Sequence, residues 1–261
     1  MELKFSKYQG TGNDFIVLDN MDNSYDSLSI EQIVKLCDRK LGVGADGLIK
    51  ISNSPACDFE LEYYNSDGTQ SFCGNGSRCS VAFAKMQGIS GTTVRFEAID
   101  GVHEANQLDG VISIGMLPVK GIEVNNGDFI LDTGSPHYVK MVNMSEQIDI
   151  LEFGKKVRYS DRFKDKGINV NIMTVIGQDE IQVATYERGV EDETLSCGTG
   201  VTASALAYKY FLGNKAGTKI TVHTKGGLLS VSSNTYIEDE GFDNIWLSGP
   251  VKHVFDGNII I

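Results

Sequence analysis

Apolar residues along the chain fall into short runs rich in Val, Ile, Tyr and Phe with turn residues between them, a pattern that predicts strands. Twice an Ala-rich amphipathic stretch with helical spacing interrupts the runs. SRCSVAFAKMQ follows Cys73-Gly74-Asn75-Gly76 and stops at Gly88, and VTASALAYKYFL follows Cys197-Gly198-Thr199-Gly200 and stops at Gly213. The motifs lie 124 positions apart (73 to 197) and the stop glycines 125 (88 to 213).

Other pairs repeat at nearly that offset. Thr11-Gly12 before DFIVLD corresponds to Thr133-Gly134 before YVKMV, Asp38-Arg39 to Asp161-Arg162, and Gly42 before LIKI to Gly167 before IMTVI. FELEYYNSDG upstream of Cys73 likewise matches IQVATYERG upstream of Cys197. A period this long is a duplicated domain rather than a solenoid. The expected fold is α+β, in two pseudo-symmetric halves of mostly antiparallel strands wrapped on one central helix. The halves are expected to span residues 1–117 and 118–249, meeting near Leu117-Pro118, with the tail 250–261 packing back on the first.

Composition narrows the function. With 261 residues and 41% hydrophobic content the chain can build a substantial core. The formal charge of −12 sets up a field that repels polyphosphates and anionic lipid, so neither nucleic acid nor a membrane is an expected partner. The amino terminus, MELKFSKYQGTGNDF, has no basic region ahead of a long apolar stretch, and a cytoplasmic location is expected. Five cysteines, at 37, 57, 73, 79 and 197, form no Cys-x-x-Cys pair and read as free thiols.

Cys73 and Cys197 stand apart from the other three. A cysteine at a helix start feels the partial positive charge of unpaired N–H groups, which raises its thiolate fraction. The glycines after it let backbone approach a ligand, and the same N–H groups can hold a carboxylate. Two such turns related by duplication suit an inversion, in which a thiolate removes a proton from one face of a stereocentre and a thiol returns one to the other. A redox pair is the alternative chemistry, though long-range regulatory disulfides are uncommon in the cytosol. Cys37, Cys57 and Cys79 precede no Gly-x-Gly turn and read as packing residues.

At these residues the chain resembles the diaminopimelate epimerase family. The similarity runs through KYQGTGNDFIVLD, GVGADGLI, YYNSDGTQSFCGNGSRC, TGSPHYV, GINVN and YERGVEDETLSCGTG. The resemblance implies two pseudo-symmetric barrel-like domains, each around a central helix, and interconversion of LL- and meso-diaminopimelate for lysine and cell-wall synthesis. No cofactor and no metal are implied; the partners are a small diamino diacid substrate and a second copy of the chain in a homodimer. Cys73 and Cys197 match the two acid/base cysteines, and Gly74, Asn75, Gly198 and Thr199 the helix starts that bind the carboxylate at the reacting centre. Asn13, Asn65, Asn169, Glu187 and Arg188 match substrate-holding positions, the last four toward the distal end. His137 matches a histidine beside the active site that, with Glu187, tunes cysteine protonation.

Three features depart from the resemblance. Ser135 stands where many members have Asn, and Gly47 where some have Gln, each shortening a polar side chain near the expected pocket. Between Glu187 and Cys197 the chain is one residue longer, with Glu191-Asp192 where a single Gly is common. Two other readings are therefore carried: a racemase for an amino acid with a shorter side chain, and a non-catalytic thiol redox sensor or binding protein. Gly42-Val43-Gly44-Ala45-Asp46-Gly47 satisfies the dinucleotide fingerprint as a string, but a helical stretch precedes it and a strand follows, the reverse of what nucleotide binding needs. Asn143-Met144-Ser145 is read as a chance glycosylation string.

Overall fold

The computed structural model describes residues 2–213 and 219–261. The chain divides into two units: residues up to Ile114 together with Gly249–Ile261, and Gly115–Ser248.

The first unit runs β1 (Glu2–Gly10), β2 (Asn13–Asp19), α1 (Ile30–Cys37), β3 (Gly47–Ser52), β4 (Phe59–Asn65), α2 (Gly74–Met86), β5 (Thr93–Ala98), β6 (Gly101–Leu108) and β7 (Val111–Met116). The second runs β8 (Glu123–Asn125), β9 (Asp128–Asp132), β10 (Pro136–Val142), α3 (Ile150–Arg158), β11 (Asn169–Gly177), β12 (Glu180–Glu187), β13 (Asp192–Thr194), α4 (Gly198–Leu212), β14 (Lys219–Thr224), β15 (Gly227–Ser232) and β16 (Ile245–Pro250). The last strand, β17 (Lys252–Ile260), pairs antiparallel with β1, Glu2 opposite Ile260.

The duplication read from the sequence is a duplication of topology. In the first unit α1 connects the parallel pair β2 and β3, and α2 connects the parallel pair β4 and β5. In the second, α3 and α4 connect the parallel pairs β10–β11 and β12–β14 in the same way. Parallel neighbours need such crossovers, and the pairs β1–β2, β3–β4, β5–β6, β11–β12 and β14–β15 are antiparallel, so the class is α+β with mostly antiparallel strands. Thr11-Gly12 (φ 52° and 87°) is the two-residue turn joining β1 to β2, where both centres need positive φ. It sets Asn13 at the start of β2, and the turn through Gly134 (φ 98°) sets His137 near the start of β10.

Local chemistry fixes the short helices. Ser29 and Gln32 form a reciprocal cap on α1, and the Asp149 carboxylate accepts from Leu151 and Glu152 N–H at the start of α3. α1 buries Ile33 and Leu36 in a cluster with Leu3, Ile16, Leu18 and Leu48, and α3 buries Ile150 in one with Val142, Ile168, Val170 and Tyr186. Burying one such side chain is worth about 1.5–3 kcal/mol.

The central helices differ from the sequence expectation in two respects. Both begin at the glycine directly after the cysteine, so Gly-x-Gly is the first helical turn rather than a loop ahead of it. Neither is amphipathic in place: residues 74–81 of α2 and 198–209 of α4 are buried on every side, packed against four strands and more. Four of their buried hydroxyls are satisfied by carbonyls one turn earlier in the same helix. Ser77 and Ser80 donate to Cys73 and Gly76 C=O at 2.9 Å, and Thr202 and Ser204 to Gly198 and Gly200 C=O at 3.0 and 2.8 Å.

Candidate active site

In the first unit Cys73 is the N-cap of α2, with extended backbone (φ −129°, ψ 108°), and its sulfur accepts from Gly76 N–H at 3.4 Å. The residue before it is clamped. Phe72 stacks on His103 (ring centroids 4.5 Å apart), which stacks on Phe96, which stacks on Phe59. His103 Nε2 is held by Asp100 at 2.9 Å.

The group beside the Cys73 sulfur is Asn13, whose Oδ1 lies 3.8 Å from Sγ. Its orientation is forced: Asn13 Nδ2 donates to the Asp46 carboxylate at 2.5 Å, so the oxygen is the end that faces sulfur and Asn75. Asp46 is held by Arg39 at 2.7 Å, and Arg39 and Lys7 both grip Asp14 at 2.6 and 2.7 Å. Burial alone would raise the Asp14 carboxyl, but hydrogen bonds from Arg39 and Lys7 outweigh it and hold the group below its ordinary range.

Under the α2 start lies Arg78, fully buried and without a carboxylate partner among the described residues. Its guanidinium donates to Asn75 Oδ1 at 2.9 Å and Thr11 Oγ1 at 3.1 Å, while Nε has no partner there. Desolvation pulls it down to about 10, and the neighbouring Cys79 and Cys73 sulfurs oppose the shift. It thus adds positive charge beneath the helix start. Arg78 escaped the sequence reading; its signal was a charge in the second turn of the helix, among small residues and well ahead of Lys85 in the last turn.

In the second unit Cys197 is the N-cap of α4 (φ −112°, ψ 113°), buried, and makes no side-chain cap bond. Its sulfur lies 3.4 Å from Thr199 Oγ1. Thr199 Oγ1 is 2.9 Å from His137 Nε2, His137 Nδ1 is 3.1 Å from Asn171 Nδ2, and Asn171 Oδ1 accepts from Thr185 at 2.8 Å. Thr133 Oγ1 fastens the Thr199 carbonyl at 2.8 Å. His137 is fully buried, and desolvation, aided by Arg188, pulls it down to about 3, so the ring is neutral at physiological pH. Asn171 and Thr185 were missed in the sequence. They sit opposite each other in the β11–β12 register, and Asn171 shares a face with Asn169 two residues earlier, so the period-2 polar pattern in NVNIM was the available signal.

The remaining candidates split. Asn65 is at the end of β4, its amide nitrogen donating to Thr69 O, Thr69 Oγ1 and Ser71 Oγ at 3.0, 3.1 and 3.2 Å, which is turn chemistry. Asn169 is bonded at both ends of its amide: Nδ2 to Ser135 Oγ at 2.8 Å and Pro136 O at 3.1 Å, Oδ1 from Arg188 N–H at 2.9 Å. It therefore fixes where Arg188 leaves β12. Arg188 Nη1 rests on Lys166 O at 3.0 Å and forms no ion pair with a described residue. Glu187 closes β12, its carbonyl accepting from Glu191 N–H at 2.8 Å.

The departures acquire physical meaning. Gly47 is not an emptied polar position: a Cβ there would meet the Tyr63 ring at 2.4 Å and Tyr64 O at 2.6 Å, so aromatic packing has taken the space. Ser135 is bonded to Asn169, as above. The longer segment is a clasp, in which the Glu191 carboxylate takes Tyr186 OH at 2.9 Å, Gly189 N–H at 3.2 Å and Arg158 Nε at 3.3 Å. Away from the two N-caps, desolvation pushes the Cys37 thiol up to about 11 and that of Cys79 higher still. Among the described residues no cluster of three His, Cys, Asp or Glu side chains could hold a metal, and no helix is long and apolar enough to cross a membrane.

Comparison with known proteins places this geometry in a family. The family model described as diaminopimelate epimerase matches residues 5–111 and 129–254. A diaminopimelate epimerase of Flavobacterium psychrophilum is 46% identical over 260 residues, covering 98% of this chain and 100% of the relative. One from Aquifex aeolicus is 39% identical over 277 residues, covering 98% of each. In fold, the chain is similar to a Bacillus anthracis phenazine biosynthesis protein of the PhzF family (TM-score 0.77, 12% identity, all of both chains). It is also similar to an Agrobacterium vitis hydroxyproline epimerase solved with trans-4-hydroxy-L-proline (TM-score 0.71, 12% identity, 99% of this chain and 92% of that one). Matched along nearly its whole length, with both Cys-Gly-x-Gly helix starts inside the matched segments, the chain belongs to the diaminopimelate epimerase family and is an isomerase.

Proposed function

We propose that the protein interconverts LL- and meso-diaminopimelate by two-base proton transfer at the α-carbon, with Cys73 and Cys197 serving opposite faces of the stereocentre and no cofactor taking part. The observation that carries the reading is that each cysteine is the N-cap of its unit's buried central helix, where the positive end of the helix dipole favours negative charge. In one direction a thiolate removes the α-proton while the opposite thiol delivers its own; the products are the inverted amino acid and the same pair with its charge exchanged. The N–H groups of Gly74, Asn75, Gly198 and Thr199 would hold the α-carboxylate as negative charge develops on it.

The neighbours of the two sulfurs supply a direction. Asn13 offers Cys73 an acceptor, which suits a thiol; Thr199 offers Cys197 a hydroxyl. At the distal end Arg188, which has no ion-pair partner among the described residues, suits the second carboxylate of a diamino diacid, with Glu187 toward the amino group and Asn65 and Asn169 framing the end. Lysine and cell-wall precursor synthesis, action in the cytoplasm and homodimer formation belong to the same reading.

The test is conversion of LL-diaminopimelate followed by chiral separation. The parent should reach an equilibrium mixture of LL and meso forms, and Cys73→Ala and Cys197→Ala should each lose at least about a thousandfold in kcat, as removal of a proton carrier does. Near-parent inversion by either variant would remove the two-base assignment. Faster turnover of alanine or lysine than of diaminopimelate would keep the mechanism and replace the substrate.

A further inference from the structure

We infer that Asn171 is a positioning residue: it fixes His137 as the Nε2–H tautomer and so turns the Thr199 hydroxyl hydrogen toward the Cys197 sulfur. The inference rests on the reading of Cys197 as a proton carrier for its functional consequence, but its structural part stands on hydrogen-bond polarity alone.

The polarity follows from one backbone carbonyl. Tyr138 C=O can only accept, and it lies 3.1 Å from the Asn171 amide nitrogen, so that nitrogen must be Nδ2. Thr185, donating at 2.8 Å to the other end of the amide, agrees with the same orientation. The second hydrogen of Nδ2 points to His137 Nδ1 at 3.1 Å, which makes Nδ1 an acceptor. A neutral imidazole with Nδ1 unprotonated carries its hydrogen on Nε2 and donates it to Thr199 Oγ1 at 2.9 Å. Thr199 has one hydroxyl hydrogen. With its oxygen accepting from His137, that hydrogen is directed to Cys197 Sγ at 3.4 Å. A hydrogen bond to the charged form of a thiol favours that form.

The surroundings keep the ring neutral. His137 is fully buried on β10, and α4 brings no acidic or basic side chain in its first turn. β12 ends at Glu187, and Arg188, the next residue, disfavours a second cation at His137. On β9 Asp132 is exposed and its carboxylate is engaged by Gly134 N–H at 2.9 Å. β11 presents Asn169 and Asn171, both uncharged. None of Thr185, Asn171, His137 and Thr199 changes charge near neutral pH, so the relay that reaches Cys197 is a fixed dipole rather than a proton wire.

Two measurements test this. Long-range proton–nitrogen NMR on histidine-labelled protein, with His137→Asn for assignment, should show Nε2 protonated and Nδ1 bare in the parent; Nδ1 protonated would overturn the proposal whether or not any variant folds. Peptide-resolved iodoacetamide alkylation against pH should then give Cys197 a midpoint about one pH unit higher in Asn171→Leu, a tenfold loss of thiolate at fixed pH, with Cys73 unmoved. Thr199→Val should raise it equally, Thr199→Ser should restore it, and the double variant should add nothing, as links of one chain do. An unchanged Cys197 midpoint in Asn171→Leu, or additive shifts, would overturn it. If Cys197→Ala retained activity while the tautomer result held, the proton-carrier reading would fail and the positioning of Cys197 would stand.

Discussion

The hydroxyl of Thr199 lies 3.4 Å from the sulfur of Cys197, whereas Asn75, its counterpart in the first unit, turns its amide oxygen away to Arg78 at 2.9 Å. The duplicated motifs have thus diverged at the one position between their glycines. One cysteine meets a hydroxyl backed by a neutral histidine, and the other meets the oxygen of Asn13 backed by a carboxylate.

The divergence makes the third glycine-motif positions unequal. A Cβ on Gly200 would stand 2.5 Å from Asn171 Oδ1 and 3.2 Å from both His137 and Thr185, while one on Gly76 would meet nothing closer than Ile49 Cδ1 at 3.4 Å. Gly200→Ala should cost about 1–3 kcal/mol of stability and most of the activity, because the relay must shift. Gly76→Ala should be neutral or stabilising by up to about 1 kcal/mol, since alanine favours helix. Urea melts of the two variants check the contrast.

His137 predicts an acid limb. Its folded-state value, about 3, lies below the ordinary histidine value of 6.5, so the unfolded chain binds the proton first as pH falls. The stability this neutral ring contributes is complete above about pH 6.5 and is lost toward pH 3, at up to about 1.4 kcal/mol per pH unit. Between pH 6.5 and 5 the parent should lose about 2 kcal/mol more than His137→Gln, whose side chain does not titrate. Denaturant melts at the two pH values measure it, and parallel losses would place the acid sensitivity elsewhere.

Specificity should reside in Arg188. Removing a charged donor that meets a distal carboxylate costs about 1.5–3 kcal/mol, so Arg188→Ala should lower kcat/KM for diaminopimelate by about tenfold to a hundredfold and leave kcat/KM for lysine unchanged. Steady-state kinetics on both substrates decide it; equal losses would show that Arg188 supports the fold rather than the substrate.

The sequence revealed what repeats and what is chemically unusual. The 73 to 197 offset exposed the duplication, and a cysteine before Gly-x-Gly marked both N-caps, because helix starts depend on local residues. What stayed hidden depends on register. Asn171 meets His137 because β10 and β11 are parallel neighbours, and Asp46 reaches Asn13 through the turn ahead of β3, contacts that no spacing encodes. Gly47 read as a shortened polar position because the Tyr63 ring that fills its place comes from the adjacent strand. The burial of α2 and α4 on all sides was also invisible, since their serines and threonines look solvent-facing until their hydroxyls close on the helix carbonyls.

The most direct test of the account is the fate of the α-hydrogen. In deuterated water, with LL-diaminopimelate and early in the reaction, two-base transfer predicts that every meso molecule formed carries deuterium at the inverted carbon while unreacted LL substrate remains protiated. Meso product that keeps its original α-protium would mean that one group both removes and returns the proton, and would contradict the assignment of Cys73 and Cys197 to opposite faces.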